Sequence, residues 1–187
     1  MADCDFDGLL DGEEVTTGSD GYITDPNDSD SDNDNLTDGQ EDTYNTNPNS
    51  SDTDNDGWSD IWEINTSGTN PTKADTDSDG LTDAIEFNYW KYTRGRTTSQ
   101  AYAYIKDSDV DNDNLKDGAE LTVGTDPLDN DSDNDGLFDG YEEYTYGTDP
   151  TDYDSDNDGY SDGEEIAVGT DPNNPNDHPG GGGGFGW

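Results

Sequence analysis

Apolar residues are sparse along this chain and recur at one position of a repeated acidic pattern. Only 25% of the 187 residues are hydrophobic, yet one apolar or aromatic side chain follows each of seven runs of alternating acidic residues. These side chains are Leu9, Leu36, Trp58, Leu81, Leu115, Leu137 and Tyr160. An aspartate lies two residues after each of them, and a second short apolar stretch then ends at glycine or asparagine. This pattern predicts irregular loops followed by short helical turns.

The acidic pattern is clearest in residues 131–142, DSDNDGLFDGYE. Acidic residues occupy loop positions 1, 3, 5, 9 and 12, and glycine occupies position 6. Calcium takes six to eight oxygen ligands, and alternate residues of a tight loop can turn their oxygens inward. Glycine permits the bend because it adopts positive φ without steric cost. Position 7 would offer its backbone carbonyl, and the glutamate at position 12 would close the shell with both oxygens.

Seven copies of this loop start at Asp3, Asp30, Asp52, Asp75, Asp109, Asp131 and Asp154. Every copy keeps all five carboxylates, which together make 35 of the 49 acidic residues, so the sequence predicts seven primary calcium sites. Position 6 is glycine in five copies and asparagine, which tolerates the left-handed region, in two (Asn35 and Asn114). The predicted ligands are Asp3, Asp5, Asp7, Leu9, Asp11, Glu14, Asp30, Asp32, Asp34, Leu36, Asp38, Glu41, Asp52, Asp54, Asp56, Trp58, Asp60, Glu63, Asp75, Asp77, Asp79, Leu81, Asp83, Glu86, Asp109, Asp111, Asp113, Leu115, Asp117, Glu120, Asp131, Asp133, Asp135, Leu137, Asp139, Glu142, Asp154, Asp156, Asp158, Tyr160, Asp162 and Glu165.

The net charge of −43 and the shortage of apolar residues would ordinarily predict disorder. A merely solvating acidic tail, however, has no reason to keep its carboxylates at fixed spacing. We therefore expect conditional order, in which the chain is loose without metal and compact with it. Metal then substitutes for a hydrophobic core. Seven bound calcium ions would change the net charge to −29.

The remaining composition excludes several functions. One cysteine (Cys4), one histidine (His178) and no nucleophile–base pairing predict a protein that is not an enzyme. Such an acidic chain opposes nucleic-acid binding, and no apolar run reaches membrane-spanning length. We expect Cys4 to be an exposed loop residue, with an intermolecular disulfide as the alternative. No secretory signal is visible, and calcium is abundant outside cells, so we expect a mature chain or fragment of an extracellular or cell-surface protein.

The distances between loops indicate a repeat protein. Successive loops start 27, 22, 23, 34, 22 and 23 residues apart. A helical turn starting near position 9 and ending at a glycine such as Gly124, Gly147 or Gly169 fits this spacing. That glycine lies four residues after Glu120 but five after Glu142, so we expect the turn to absorb the additional residue.

The fourth repeat carries an insertion at residues 87–107. It contains four of the six basic residues and six of the nineteen aromatic residues. Two β-prone runs, Phe87–Thr93 and Gln100–Lys106, predict a β-hairpin. The insertion either packs on its own repeats or, with the glycine-rich tail, mediates self-association by docking on the acidic surface of a second copy. The tail, residues 173–187, ends in two aromatic residues (Phe185 and Trp187) that we expect to dock.

The segments DSDNDGLFDGYEEYTYGTDP (131–150) and DSDNDGYSDGEEIAVGTDP (154–172) resemble the thrombospondin type 3 repeat, in particular its bacterial and archaeal relatives. The resemblance covers residues 3 to about 172. It implies an irregular, metal-stabilised tandem repeat with little regular secondary structure, in which an elongated rod wraps around a line of calcium ions. It also implies secondary calcium sites, for which the candidates are Asp28, Asp107, Asp126, Asp129, Asp149, Asp152 and Asp171. Departures from the pattern are the two asparagines at position 6, Asn47 and Asn70 in place of the turn aspartate, and a fourth repeat without Thr-Asp-Pro.

Residues 1–172 are thus expected to form seven calcium repeats and residues 173–187 a tail. The function expected first is that of an extracellular structural protein, a calcium-stiffened rod that self-assembles into a surface layer, filament or matrix. The alternatives are a calcium-dependent adhesion module or stalk, with the insertion as its ligand contact, and an appendage of a larger secreted enzyme.

Overall fold

A computed structural model describes residues 2–17 and 21–180. Over these residues the chain consists of short helical segments joined by loops, and no β-strand occurs among them. The chain divides into two compact units, one ending at Lys106 and the other beginning at Asp107. Among the described helices, none has both the length and the apolar character needed to cross a membrane.

Seven of the eight described α-helices begin at the aspartate in loop position 9, which confirms the predicted helical turn. The α-helices are α1 (Asp11–Glu14), α2 (Asp38–Tyr44), α3 (Asp60–Trp62), α4 (Asp83–Asn88), α5 (Thr98–Tyr104), α6 (Asp117–Val123), α7 (Asp139–Tyr141) and α8 (Asp162–Val168). Three π-helical turns follow α3, α4 and α7 directly: π1 (Glu63–Ser67), π2 (Tyr89–Thr93) and π3 (Glu142–Tyr146). Acidic residues in the first helical turn interact favourably with the helix dipole.

The π-helical turns explain the alternation of 22 and 23 residues between loops. Gly124 ends α6 and donates its N–H to the carbonyl of Glu120, four residues back. Gly147 ends π3 and donates to Glu142, five residues back. Both glycines adopt the left-handed conformation, at φ 109° and 70°. A π-helical turn accommodates one additional residue, so the predicted absorption of that residue in the turn is confirmed.

The predicted β-hairpin is wrong, because both β-prone runs are helical. Phe87–Thr93 continues α4 into π2, and Gln100–Tyr104 belongs to α5. Helix α5 begins with a capping box, in which the Thr97 side chain accepts from the Gln100 N–H and the Gln100 side chain accepts from the Thr97 N–H. The aromatic residues pack across the two helical segments: the rings of Phe87 and Tyr102 stack with centroids 5.0 Å apart. Packing between the two helical segments outweighed local β-propensity.

Few apolar side chains are buried, whereas many carboxylates are. The buried hydrophobic residues among those described are Leu36, Trp90, Ala101, Ile105 and Leu115. By contrast, the position-12 glutamates are at most 2% exposed in all seven repeats. Charged residues are rarely buried unless they are paired or bind metal. The interior of each repeat is therefore a set of carboxylates that needs a compensating charge.

Candidate metal centres

The loop backbone brings the carboxylates of positions 1, 3 and 5 together. In the second repeat, one oxygen each of Asp30, Asp32 and Asp34 lies within 4.8 Å of the others. The Asp34 N–H donates to Oδ1 of Asp30 and to Oδ1 of Asp32, both at 3.1 Å. The same grouping occurs at residues 3, 5 and 7, at 52, 54 and 56, and at 75, 77 and 79. The loop thus holds three carboxylates in one place by bonds from its own backbone.

Two residues with positive φ curl each loop. Position 6 has φ between 78° and 109° in all seven copies, including Asn35 and Asn114, as predicted. Position 4 also has positive φ, between 62° and 66°, which sequence reasoning missed. Asparagine at position 4 in five of the seven loops was the available signal. Phe6 occupies this position in the first loop and is 88% exposed.

The position-12 glutamates are held by a hydrogen bond to one oxygen. In the sixth repeat, the Thr148 hydroxyl donates to Oε1 of Glu142 at 3.0 Å. A threonine occupies this place in six repeats, and Trp90 replaces it in the fourth. In those six repeats, Oε2 of the glutamate is buried without a hydrogen-bond partner among the described residues. One oxygen therefore fixes the side chain and leaves the other to take a cation.

The position-9 aspartates accept hydrogen bonds from the residue at position 2. Asp139 accepts at Oδ1 from the Ser132 N–H, at 2.8 Å, and at Oδ2 from the Ser132 hydroxyl, at 2.6 Å. Sequence reasoning missed this bond, although serine or threonine stands at position 2 in five loops. Cys4 is exposed, as predicted, and its thiol takes the place of the hydroxyl by donating to Oδ2 of Asp11 at 3.0 Å. The position-9 aspartate therefore links the end of its loop to the beginning of the same loop.

Within each unit, the position-5 carboxylate links one repeat to the next. Oδ2 of Asp113 accepts from the Gly140 N–H at 2.9 Å, in the first turn of α7. The same bond joins Asp7 to Gly39 at 3.1 Å and Asp135 to Gly163 at 2.6 Å. Where position 10 carries a side chain, at Ile61 and Ala84, the bond is 3.4 and 3.2 Å. Glycine at position 10 allows the closest approach of the two backbones.

A second acidic cluster lies between the first two repeats and was not predicted. It joins Asp7 and Glu14 of the first repeat to Asp38, the position-9 aspartate of the second, with one oxygen of each within 4.8 Å of the others. Asp149 and Asp171, two of the predicted secondary ligands, each accept from the backbone N–H two residues ahead, which shapes the Thr-Asp-Pro turn.

Crowding and burial disfavour the ionised form of the carboxylates. Burial, and then the carboxylate of Asp32, raises the pKa of Glu41 to about 8. Burial, and then the carboxylate of Asp111, raises the pKa of Glu120 to about 9. The pKa of Asp111 itself rises to about 7, mainly through burial. Each shift reports a negative charge that lacks a positive partner.

The residues fit a hard divalent cation. In all seven loops, the position-3 carboxylate has at least one buried oxygen without a hydrogen-bond partner among the described residues. In six of the seven loops, the position-12 glutamate also has an oxygen without a hydrogen-bond partner among the described residues. The carboxylates of positions 3 and 12 are close enough to repel each other, as Asp133 and Glu142 do in the sixth loop. All these donors are oxygens, which suit calcium or magnesium better than softer metals.

These features define a class: a tandem-repeat protein whose repeats are acidic loops suited to a divalent cation. A family model described as the bacterial TSP3 repeat, the thrombospondin type 3 repeat of bacteria, matches the chain seven times, at residues 3–20, 30–51, 52–74, 75–89, 109–130, 131–152 and 154–175. The chain belongs to this family, which confirms the resemblance seen in the sequence. The family is one of calcium-binding structural repeats and not of enzymes. Searches of curated proteins and of solved structures found no match.

Proposed function

We propose that this protein is an extracellular structural protein in which calcium fills seven primary sites and stiffens the repeats into a rod. The observation that supports this most is the buried, unpartnered position-3 oxygen that recurs in all seven loops. A folded chain would not keep seven such atoms unless a cation completed them. The proposed ligands are those of positions 1, 3, 5, 7, 9 and 12, with Asp7, Glu14 and Asp38 as a further candidate cluster.

Calcium supplies positive charge and a coordination shell, and the chain supplies the geometry. The backbone donors within the loop keep the position-1, position-3 and position-5 carboxylates together. The threonine hydroxyl turns the position-12 glutamate toward them. The position-5 carboxylate bonds to the next helix, so a cation held in one loop also steadies the neighbouring repeat. Coupling between neighbours is what makes repeat arrays stiff.

Equilibrium dialysis against calcium tests this proposal most directly. The full chain should bind at least seven ions, and Glu41→Gln should lower the count, or weaken one site, without emptying the others. Gln40→Glu is the matched control, because it places a carboxylate on the adjacent, exposed position while leaving Glu41 intact. Fewer than seven ions at saturation would contradict the assignment of one primary site to each loop.

Self-assembly into a layer, filament or matrix is the finer part of the proposal. Packing of the insertion favours the local alternative, because Trp90 is fully buried and the rings of Trp58, Phe87 and Tyr102 contact one another. Assembly would then rest on the exposed side chains of the insertion or on residues outside the described ranges, to which Phe185 and Trp187 belong.

An adhesion module is the second candidate, and one observation favours it. Tyr92 lies in the insertion with 73% of its surface exposed, next to Lys91. Tyrosine is enriched at the centre of protein-binding surfaces. Analytical ultracentrifugation in calcium should separate the two functions: loss of self-association in Tyr92→Ser supports assembly, whereas a chain that stays monomeric and binds another molecule through Tyr92 supports adhesion. The parent chain and Tyr92→Ser should bind the same number of calcium ions.

A further inference from the structure

The fourth repeat holds its position-12 glutamate with a different donor. In the other six repeats a threonine hydroxyl donates to Oε1 of the glutamate at 3.0 to 3.4 Å. Glu86 instead accepts from the indole Nε1 of Trp90 at 2.7 Å, the shortest of the seven distances. The fourth repeat lacks its Thr-Asp-Pro segment, and the insertion supplies the replacement donor.

Trp90 is fixed by apolar packing that needs no cation. Its side chain is fully buried, and its ring lies 5.0 Å from that of Tyr89 and 4.7 Å from that of Tyr104, measured between centroids. Ala101 of α5 and Ile105, the residue that caps the end of α5, are also fully buried. We call Trp90, Ala101 and Ile105 the insertion core. None of its three side chains carries a charge, so their packing does not depend on metal.

The indole differs from a hydroxyl in two ways that matter for Glu86. A hydroxyl rotates and both donates and accepts, whereas an indole N–H only donates. Its direction is set by the ring, which packing holds in place. Oε1 of Glu86 is therefore oriented before a cation arrives. A ligand that is already ordered loses less entropy on binding.

We propose that Trp90 is a positioning residue for Glu86 and that the fourth loop, residues 75–86, is the first loop of its unit to take up calcium. This inference rests on the proposed function, in which the loops bind calcium. It goes further by giving the seven sites an order and by assigning the insertion a role within its own chain. The remaining loops of the unit would then order around a site that is already built.

Hydrogen exchange measured by mass spectrometry, over a series of buffered free-calcium concentrations, tests the proposal on the full chain. Peptides from residues 75–86 should gain protection at lower calcium than those from 30–41 or 52–63. Trp90→Phe should raise the calcium needed by 75–86 by about tenfold or more, as expected for loss of a hydrogen bond to a charged group. Thr69→Ala is the matched control, because it removes the donor of Glu63 and should move only residues 52–63.

A second variant separates the hydrogen bond from the packing. Ile105→Ala loosens the insertion core but leaves the indole N–H in place, so it should shift the calcium requirement of residues 75–86 less than Trp90→Phe does. Equal shifts would mean that packing alone governs the site and would overturn the positioning role. An unchanged requirement in Trp90→Phe, or earlier protection of another loop of the unit, would also overturn it. If no loop responds to calcium, the proposed function itself fails.

Discussion

Each carboxylate of a loop has a distinct task, although sequence alone makes the five look alike. The position-1 and position-3 aspartates accept backbone N–H groups of their own loop, as Asp131 and Asp133 do from Asp135. The position-9 aspartate accepts from the position-2 residue, and the position-12 glutamate accepts from a threonine of the following turn. In the sixth loop, Asp133 and Glu142 each keep a buried oxygen without a hydrogen-bond partner among the described residues, and these two oxygens are the first we assign to calcium.

The last two carboxylates of the sixth loop, at positions 9 and 12, should therefore respond differently to neutralisation. Glu142→Gln removes charge from a side chain that carries a buried, unpartnered oxygen, and should weaken the site by at least about tenfold, equivalent to about 1.4 kcal/mol. Asp139→Asn should weaken it less, because both oxygens of Asp139 already accept hydrogen bonds from Ser132. Calorimetric calcium titration compares the two variants. The opposite ranking would show that position 9 is the dominant ligand.

Phe6 is a bulky residue in a backbone conformation that favours asparagine. Its φ is 66°, and the side chain is 88% exposed, so no contact compensates for the strain. Phe6→Asn should raise the free energy of unfolding by about 1 kcal/mol. Asn33→Phe, at the same position of the second loop, should lower it by a similar amount. Thermal unfolding in saturating calcium measures the stability of both variants. A loss of stability in Phe6→Asn would show that the backbone at Phe6 is not strained.

Among the helical elements, the contact between successive repeats is closest where position 10 carries no side chain. A Cβ on Gly140 would lie 2.5 Å from the carbonyl oxygen of Asp113 and 2.7 Å from the Leu115 nitrogen. Gly12 is the same position of the first loop, and a Cβ added there would meet nothing within 4 Å. Position 10 is therefore constrained by its neighbour and not by its own helix.

Gly140→Ala should consequently destabilise its unit by about 1 to 3 kcal/mol, because the backbones must separate. Gly12→Ala should be neutral or should stabilise α1 by up to about 1 kcal/mol through helix propensity. Chemical denaturation in saturating calcium provides the comparison. Equal effects of the two substitutions would mean that the close approach at Gly140 contributes little.

The helical turns could be predicted from sequence because their signals are local. An aspartate at position 9 starts the helix and a glycine such as Gly169 ends it, at φ 86°. The helical insertion could not be predicted in the same way. Its residues alternate between alanine and tyrosine from Ala101 to Tyr104, which mimics a strand. What decides the outcome is the packing of Phe87 against Tyr102. That contact joins residues from different helices, so no short window contains it.

The site was predicted in part for the same reason. Carboxylate spacing within twelve residues identified the loop, whereas the bond from Gly140 to Asp113 spans 27 residues. Similarly, the sequence shows that the fourth repeat has no threonine at this place, but it does not show that the indole of Trp90 replaces it. These contacts depend on how repeats stack and not on the spacing inside one of them.

At the scale of the whole molecule, charge makes the response to pH depend on calcium. Burial raises the pKa of Glu63 and of Glu142 to about 8 each, above the value of about 4.3 for an exposed glutamate. The folded chain without metal thus holds protons that the unfolded chain has already released. Its stability should fall as pH rises from about 4 to about 8. Calcium requires ionised ligands, so stability of the loaded chain should instead fall as pH decreases.

Thermal unfolding followed by circular dichroism, at pH 5.5 and pH 8 with either chelator or excess calcium, measures these opposite slopes. The chelated chain should be the more ordered at pH 5.5, and the loaded chain should be the more ordered at pH 8. Slopes of the same sign would mean that the buried glutamates do not control stability.

Small-angle scattering of the full chain with and without calcium tests the central claim that metal takes the place of a core. With excess calcium the 187-residue chain should be ordered, and excess chelator should increase its radius of gyration toward the value of about 46 Å expected for an unfolded chain of this length. Returning calcium in excess of the chelator should restore the initial radius of gyration. A radius of gyration that chelator leaves unchanged would show that metal does not take the place of a core in this protein.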